Sequence, residues 1–168
     1  MYQEQAKSIV NETKAKQLLV ALDKTFQKNE MLGAPRKALI FTESRRTQEY
    51  LKNFLQNNGY NGKVVCFNGS NNDEDSKSIY RKWLSLYAGS KRISGRTIID
   101  RKQSLVDYFR TDAEIMIATE SGAEGINLQF CSLLVNYDMP WNPQRIEQRI
   151  GRCHRYGQKF DVVVVNFV

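Results

Sequence analysis

The sequence predicts an α/β domain: a parallel sheet with helices on both faces. Five short apolar runs recur along the chain, KALIFT at 37–42, KVVCF at 63–67, EIMIAT at 114–119, SLLVNY at 132–137 and DVVVVNFV at 161–168. They are apolar throughout rather than alternating, which is how strands buried on both faces read. Between them lie segments whose apolar residues fall at helical spacing, and strands alternating with helices are the signature of a parallel sheet covered on both sides. At 168 residues the chain suits one domain. It has no internal repeat and no Pro- or Gly-rich linker to divide it.

Taken in order, Ala15, Leu18, Leu19, Leu22 and Phe26 make one face of a first helix that ends near Gly33 and Pro35. After the strand at 37–42, Ser44 can cap a helix whose inward face is Tyr50, Leu51, Phe54 and Leu55, closing at Gly59. The second strand runs into the polar turn NGSNNDEDS. Ile79, Trp83, Leu86 and Tyr87 form the next helical face, ending at Gly89, and a Gly- and Ser-containing loop leads to a helix through Leu105, Val106 and Phe109. The last helix lies between the fourth and fifth strands, with Asn142 as N-cap and Pro143 at the first helical position. Ligands of such sheets sit outside the carboxyl ends of the strands, which puts Thr42, Gly69, Thr119 and residues 137–140 on one rim.

Composition excludes several classes. No apolar run approaches the ~18 residues of a membrane span, and the polar start, MYQEQAKSIVNETKAK, has no apolar core of a secretory signal. Cys66, Cys131 and Cys153 lack the spacing of a disulfide framework or, with the single histidine His154, of a zinc site, so no metal is expected. An intracellular, cytoplasmic protein is expected, with no membrane partner. The net charge of +7 is localised. Residues 77–110 hold nine basic residues against Asp100 and Asp107, the whole excess. A second cluster, Arg145, Arg149, Arg152, Arg155 and Lys159, faces only Glu147. Localised positive charge points to a polyanion, although a solvated helix face is the commoner meaning of any charge run.

Two stretches carry the chemistry. In ATESGAEGINLQ (118–129), small residues follow a strand end, and Gly122 and Gly125 permit close approaches or φ values that a Cβ blocks. In NYDMPWNPQRIEQRIGRCHRYGQ (136–158), Arg145, Arg149 and Arg152 share a helical face with Arg155 just beyond. Clustered guanidinium groups repel one another unless an anion sits between them, and phosphate is the anion that their planar fork suits.

These stretches resemble motifs V and VI of superfamily 2 helicases and translocases, specifically the Swi/Snf-like branch. The pattern D-x-P-W-N-P at 138–143 is followed by Gln148, Arg152, His154, Arg155 and Gly157-Gln158. LIFTES at 39–44 resembles motif IV, and FNGS at 67–70 resembles the strand-loop that follows it. The matches run in family order. The resemblance implies the second of two RecA-like lobes, with residues 1–35 as a helix leading into it and 36–168 as the lobe, interrupted by a basic insertion at about 71–100. It implies ATP and Mg²⁺ as cofactors, held mainly by a first lobe of the same parent chain. The phosphate-loop pattern is absent here, since no Gly-Lys pair is followed by Ser or Thr. Half of an ATP-hydrolysing enzyme is therefore expected, inactive by itself.

Carried over residue by residue, Arg152 and Arg155 match the catalytic arginine fingers that reach the γ-phosphate of ATP. Such fingers contribute ~10³–10⁵ in rate where they have been dissected. Gly125, Asn127 and Gln148 complete the implied ATP contacts. Thr42, Ser70 and Thr119 fall on the nucleic-acid side, and Arg81 and Lys82 of the insertion join them as phosphate contacts, with DNA preferred to RNA by branch. Trp141 is expected to pack its loop rather than stack on a base. Arg149 departs from the family, which usually has a small residue there, and makes QRIGR closer to DEAD-box proteins. Two other readings compete. A nucleic-acid-binding module without ATPase activity would be expected to have lost its arginine fingers, and both are intact. A small-molecule enzyme of flavodoxin-like topology needs a glycine-rich turn after the first strand, and 42–46 supplies none.

Overall fold

A computed structural model describes residues 2–168 apart from residue 124. Five parallel strands form one sheet: β1 (Ala38–Thr42), β2 (Val64–Phe67), β3 (Ile115–Thr119), β4 (Leu133–Asn136) and β5 (Val163–Asn166), in the order β2-β3-β1-β4-β5. β1 is central, and every residue from Ala38 to Thr42 is buried. Alternate side chains of the sheet divide into two cores. Leu39, Phe41, Val65, Phe67, Met116 and Leu134 face one side, and Ala38, Ile40, Val64, Ile115, Ile117 and Val135 the other.

The second face is covered by α1 (Tyr2–Leu32) and α2 (Arg45–Leu55). Leu18, Leu22 and Phe26 are fully buried there. Burial of each such side chain contributes ~1.5–3 kcal/mol, which fixes the carboxyl-terminal half of α1 to the sheet. This half of α1 is thus part of the lobe's core rather than only a lead-in to it. Its end is a left-handed cap: Gly33 has φ +75°, and the Ala34 N–H bonds back to the Asn29 carbonyl at 2.8 Å. α2 begins on Ser44, whose hydroxyl accepts the Thr47 N–H, and unwinds through a wide turn at Gln56–Tyr60.

The first face is covered by α4 (Thr97–Thr111), by the turn of α5 (Glu120–Ala123) and by α6 (Pro143–Cys153). The remaining helix, α3 (Glu74–Leu86), packs on α4. It starts beside the carboxyl end of β2, and its final turns line a cavity of about 700 Å³ at Gly62–Val64, the opposite end of that strand. No helix among the described residues is long and apolar enough to cross a membrane.

Three side-chain expectations fail. Tyr50, assigned to the inward face of α2, is 38% exposed, because it faces the exposed amino-terminal half of α1 rather than the sheet. Leu86, assigned to the inward face of α3, is 75% exposed. Its helix rests on α4 and not on the sheet, and the last turn overhangs that narrower support. Trp141, expected to pack its loop, is 98% exposed. Pro140 and Pro143 stiffen that turn, and the Asn142 side chain caps α6 through the Gln144 N–H at 3.0 Å, so the turn holds its shape without the indole.

Candidate functional site

The inward stripe of α6 is Ile146, Arg149, Ile150 and Cys153. The adjoining stripe, Arg145, Gln148 and Arg152, looks across a cleft of about 690 Å³ at Glu120, Ser121 and Ala123 of α5. The four arginines, alike in sequence, separate here into distinct roles. Arg149 is 2% exposed and is a structural crosslink. Its Nε donates to Glu120 Oε1 at 2.5 Å, and Nη1 donates to Asn136 Oδ1 at 2.8 Å and to the Asp138 carbonyl at 3.1 Å. Its guanidinium lies 4.6 Å from the centre of the Phe41 ring. One side chain thus ties together the ends of β1, β3 and β4. Arg145 reaches Glu120 at the 4.0 Å limit of an ion pair. Arg152 and Arg155 make no ion pair among the described residues.

Arg152 is half-buried at the cleft, whereas Arg155 is exposed on the turn just past α6. The backbone of this end is held from below: Leu128 N–H donates to the Arg152 carbonyl at 2.8 Å, and the Gln158 amide donates to the Cys131 and Cys153 carbonyls at 2.8 and 3.1 Å. The loop that carries Gly125 and Asn127 is therefore fastened to the helix that carries the arginines. Gly125 has φ +79°, a left-handed conformation that glycine adopts without strain, and Asn127 is exposed. Gln148 is exposed on the cleft. Of the residues that the resemblance assigns to ATP, then, Gln148 and Arg152 line the cleft, while Gly125, Asn127 and Arg155 are not among its lining residues.

Gly122 has a role that its neighbours alone do not disclose. A Cβ on it would lie 2.6 Å from Asn68 Cα, so the close approach expected of this turn is to the backbone of the 67–70 loop. That loop is itself rigid: Asn68 Oδ1 accepts the Asn71 N–H at 2.8 Å and an Arg45 N–H at 3.0 Å, and Asn71 Oδ1 accepts the Asn68 N–H at 2.8 Å. Arg45 also bonds Ser70, which is exposed. On the same rim Thr119, expected as a phosphate contact, is buried, with its Oγ1 3.5 Å from Ser121 Oγ. Thr42 is fully buried, and its hydroxyl donates to the Ser44 carbonyl at 3.3 Å. In this conformation it shapes the turn and offers nothing to a ligand.

Arg81 and Lys82 are exposed as expected, and Arg81 reaches Glu74 in the first turn of α3 at the 4.0 Å limit of an ion pair. Lys82 lines the cavity at Gly62–Val64, at the amino end of β2. The insertion is organised by two buried carboxylates. Asp107 accepts Trp83 Nε1 at 2.8 Å, Gln103 at 2.9 Å and Arg110 at 3.1 Å, and pairs with Arg92, which also stacks on Tyr87. Asp100 accepts Ser94 and Gly95 N–H groups and the Ser94 hydroxyl, and the hydroxyl bond above all holds its carboxyl below the usual range. Two of the nine basic residues, Arg92 and Arg110, are therefore exposed braces paired with Asp107.

The thiols offer no nucleophile. Burial pushes Cys66 up to about 12, and Cys153, packed beside Cys131, is raised by hydrogen bonding to that thiol and by burial. His154, its sequence neighbour, points into solvent.

The fastened motif loops bring known proteins into view. The helicase conserved C-terminal domain matches residues 60–157. This chain belongs to that family. An uncharacterized ATP-dependent helicase of Bacillus subtilis is 45% identical over 130 residues, which is 77% of this chain and 18% of the relative. Helicase SWR1 of Saccharomyces cerevisiae is 33% identical over 135 residues, 79% of this chain and 7% of the relative. Among solved structures, the C-terminal part of the Fun30 ATPase domain aligns with a TM-score of 0.64 at 23% identity, covering 92% of this chain and 40% of that one. The fold is thus the second RecA-like lobe, and this helicase C-terminal domain spans under a fifth of the length of the curated relatives named here.

Proposed function

We propose that this domain is the second lobe of an ATP-dependent nucleic-acid translocase or helicase, acting on DNA in preference to RNA, with Arg152 and Arg155 as its arginine fingers. One observation carries the reading. Of the arginines on and after α6, the two that match motif VI have no ion-pair partner among the described residues, while Arg149 is locked into the fold. Groups meant for a transition state have to be held in place yet left free of partners.

The cleft suits the phosphate end of ATP: Gln148, Arg152 and Ser121 supply donors around a space of about 690 Å³, and Arg155 is exposed on the turn just past α6. ATP would supply the phosphoryl group whose transfer drives movement. Arg152 and Arg155 would donate to its terminal oxygens, and Gly125 and Asn127 would border the nucleotide. The resemblance assigns Mg²⁺ mainly to a first lobe of the parent chain. On the nucleic-acid side, Ser70 presents its hydroxyl at the rim, while the buried Thr119 and Thr42 would act through the turns that they support. Arg81 and Lys82 would meet only a polymer that passes around the outer edge of the domain. The preference for DNA follows the Swi/Snf-like D-x-P-W-N-P pattern.

In the full-length protein, Arg152→Ala or Arg155→Ala is expected to lower kcat by at least ~10²-fold, with a smaller effect on ATP binding, because the lost interaction strengthens in the transition state. Lysine at either position should restore little, since an ammonium lacks the planar fork. Steady-state ATPase assays with duplex DNA or RNA as stimulator check both parts. Near-parental turnover in both alanine variants would remove the finger assignment, and stimulation by RNA alone would remove the DNA preference.

A further inference from the structure

On the second face of the sheet, close to the same rim, a cavity of about 660 Å³ opens between the amino-terminal half of α1 and the start of α2. Residues 2–13 of α1 are exposed on every side, so this half of the helix stands away from the domain as an arm. Lys7 and Asn11 project from the arm, Arg46 and Thr47 from α2, and Tyr137 closes the inner end.

Tyr137 is 2% exposed, and its hydroxyl has no hydrogen-bond partner. Its ring is fully engaged: Lys14 Nζ lies 4.2 Å from its centre, and Phe167 packs against it at 5.7 Å. Only the hydroxyl is left over, and an unpaired buried hydroxyl is a destabilising feature that a guest acceptor would relieve. Burial pushes the group up to about 12, so it keeps its proton and remains a donor at neutral pH.

The charge around the cavity points the same way. Neither Lys7 nor Arg46 makes an ion pair among the described residues. The nearby carboxylate of Asp138 is occupied by Lys14 at 3.6 Å and by the Glu43 N–H at 2.9 Å. Glu4 is the one carboxylate lining the cavity, out on the arm. What remains is a cleft with a cation on each wall and a neutral donor at its base. A compact phosphate is usually gathered by a nest of backbone N–H groups. Here the donors are side chains on two separate helices, an arrangement that suits an extended chain of phosphates running between them.

We propose that the cleft between α1 and α2 is a clamp for the phosphodiester backbone, with Lys7 and Arg46 as its paired cations and the Tyr137 hydroxyl as its buried donor. It rests on the nucleic-acid reading above and adds a contact that the motif residues do not include. The amino-terminal arm of α1 would then form one wall of the clamp and α2 the other.

The test uses the full-length protein and duplex DNA, titrated by fluorescence anisotropy across a salt series. The double variant Lys7→Gln, Arg46→Gln should flatten the slope of log K against log salt by ~2, since each neutralised phosphate contributes ~0.9. Tyr137→Phe should weaken binding ~3- to 10-fold at unchanged slope, because a neutral donor releases no counterion. DNA-free ATPase activity and Tm should stay parental in the double variant. An unchanged slope in the double variant, with the unmodified protein binding DNA and hydrolysing ATP, would overturn the clamp alone. Absence of DNA binding by the unmodified protein would overturn the parent reading instead. Inorganic phosphate should compete no better than chloride at equal ionic strength. Specific competition by phosphate with an unchanged duplex slope would make the cleft a small-anion site and overturn the clamp.

Discussion

Arg149 and Arg152 stand three residues apart, and the difference between them is a matter of angle around one helix. Arg149 falls on the stripe of Ile146, Ile150 and Cys153, which points at the sheet; Arg152 falls on the next stripe, which points at the cleft. A guanidinium taken out of water has to find partners, and Arg149 finds Glu120, Asn136 and the Asp138 carbonyl. Removing it would strand the partly buried Glu120 carboxylate and the Asn136 side-chain Oδ1. Arg149→Leu is therefore expected to destabilise the domain by ~3 kcal/mol, in the range seen when one member of a buried pair is deleted. Lysine should recover little of this loss, because three acceptors in different directions need the fork. Urea unfolding of both variants checks it, and a loss below ~1 kcal/mol for leucine would show that the crosslink is dispensable. This role was half-legible in the sequence. The position on an apolar stripe could be read from spacing, but the partners come from 13 and 29 residues away, and no local rule pairs them.

At the scale of elements, the strands, their parallel sense and the helices between them follow from apolar runs and helical periodicity, because burial on both faces leaves a strong local mark. Strand order does not: nothing in 38–42 says that it lies between β3 and β4, since that is decided by which crossovers pack. The insertion shows the same division. Its helix and its buried Trp83 were legible from spacing, while the overhang of Leu86 and the braces at Asp107 were not, because both depend on α4 being the surface beneath. Asp107 is the pivot of that packing. In Asp107→Ala, Trp83 Nε1, Gln103, Arg92 and Arg110 all lose their acceptor. The expected result is local loosening of α3 and the 88–96 loop with the sheet intact. A background of Trp141→Phe leaves Trp83 as the single tryptophan, and its emission should then shift to the red with little change in far-UV circular dichroism. Unfolding should come ~4–8 °C earlier, from a loss of ~2 kcal/mol of charged hydrogen bonding. An unshifted emission maximum would mean that apolar contact alone seats α3 on α4.

For the whole molecule, the decisive fact is what kind of groups the cleft contains. It presents donors for phosphate oxygens, yet the chain has no phosphate loop and, among the described residues, no acidic cluster for a metal. Arginine fingers act on charge that develops during transfer, and they can act only on a phosphoryl group that something else has placed in line with its nucleophile. The 168-residue chain alone is thus expected to bind ATP weakly and to show no magnesium-dependent turnover. Contamination is the usual source of a false signal in such a measurement, so the Arg152→Ala chain, prepared identically, serves as the reference. Phosphate release that is equal in the two preparations comes from a contaminant and leaves the two-lobe reading in place. Release that the substitution abolishes would mean that these residues complete a nucleotide site by themselves, and the division of labour between two lobes would have to be given up.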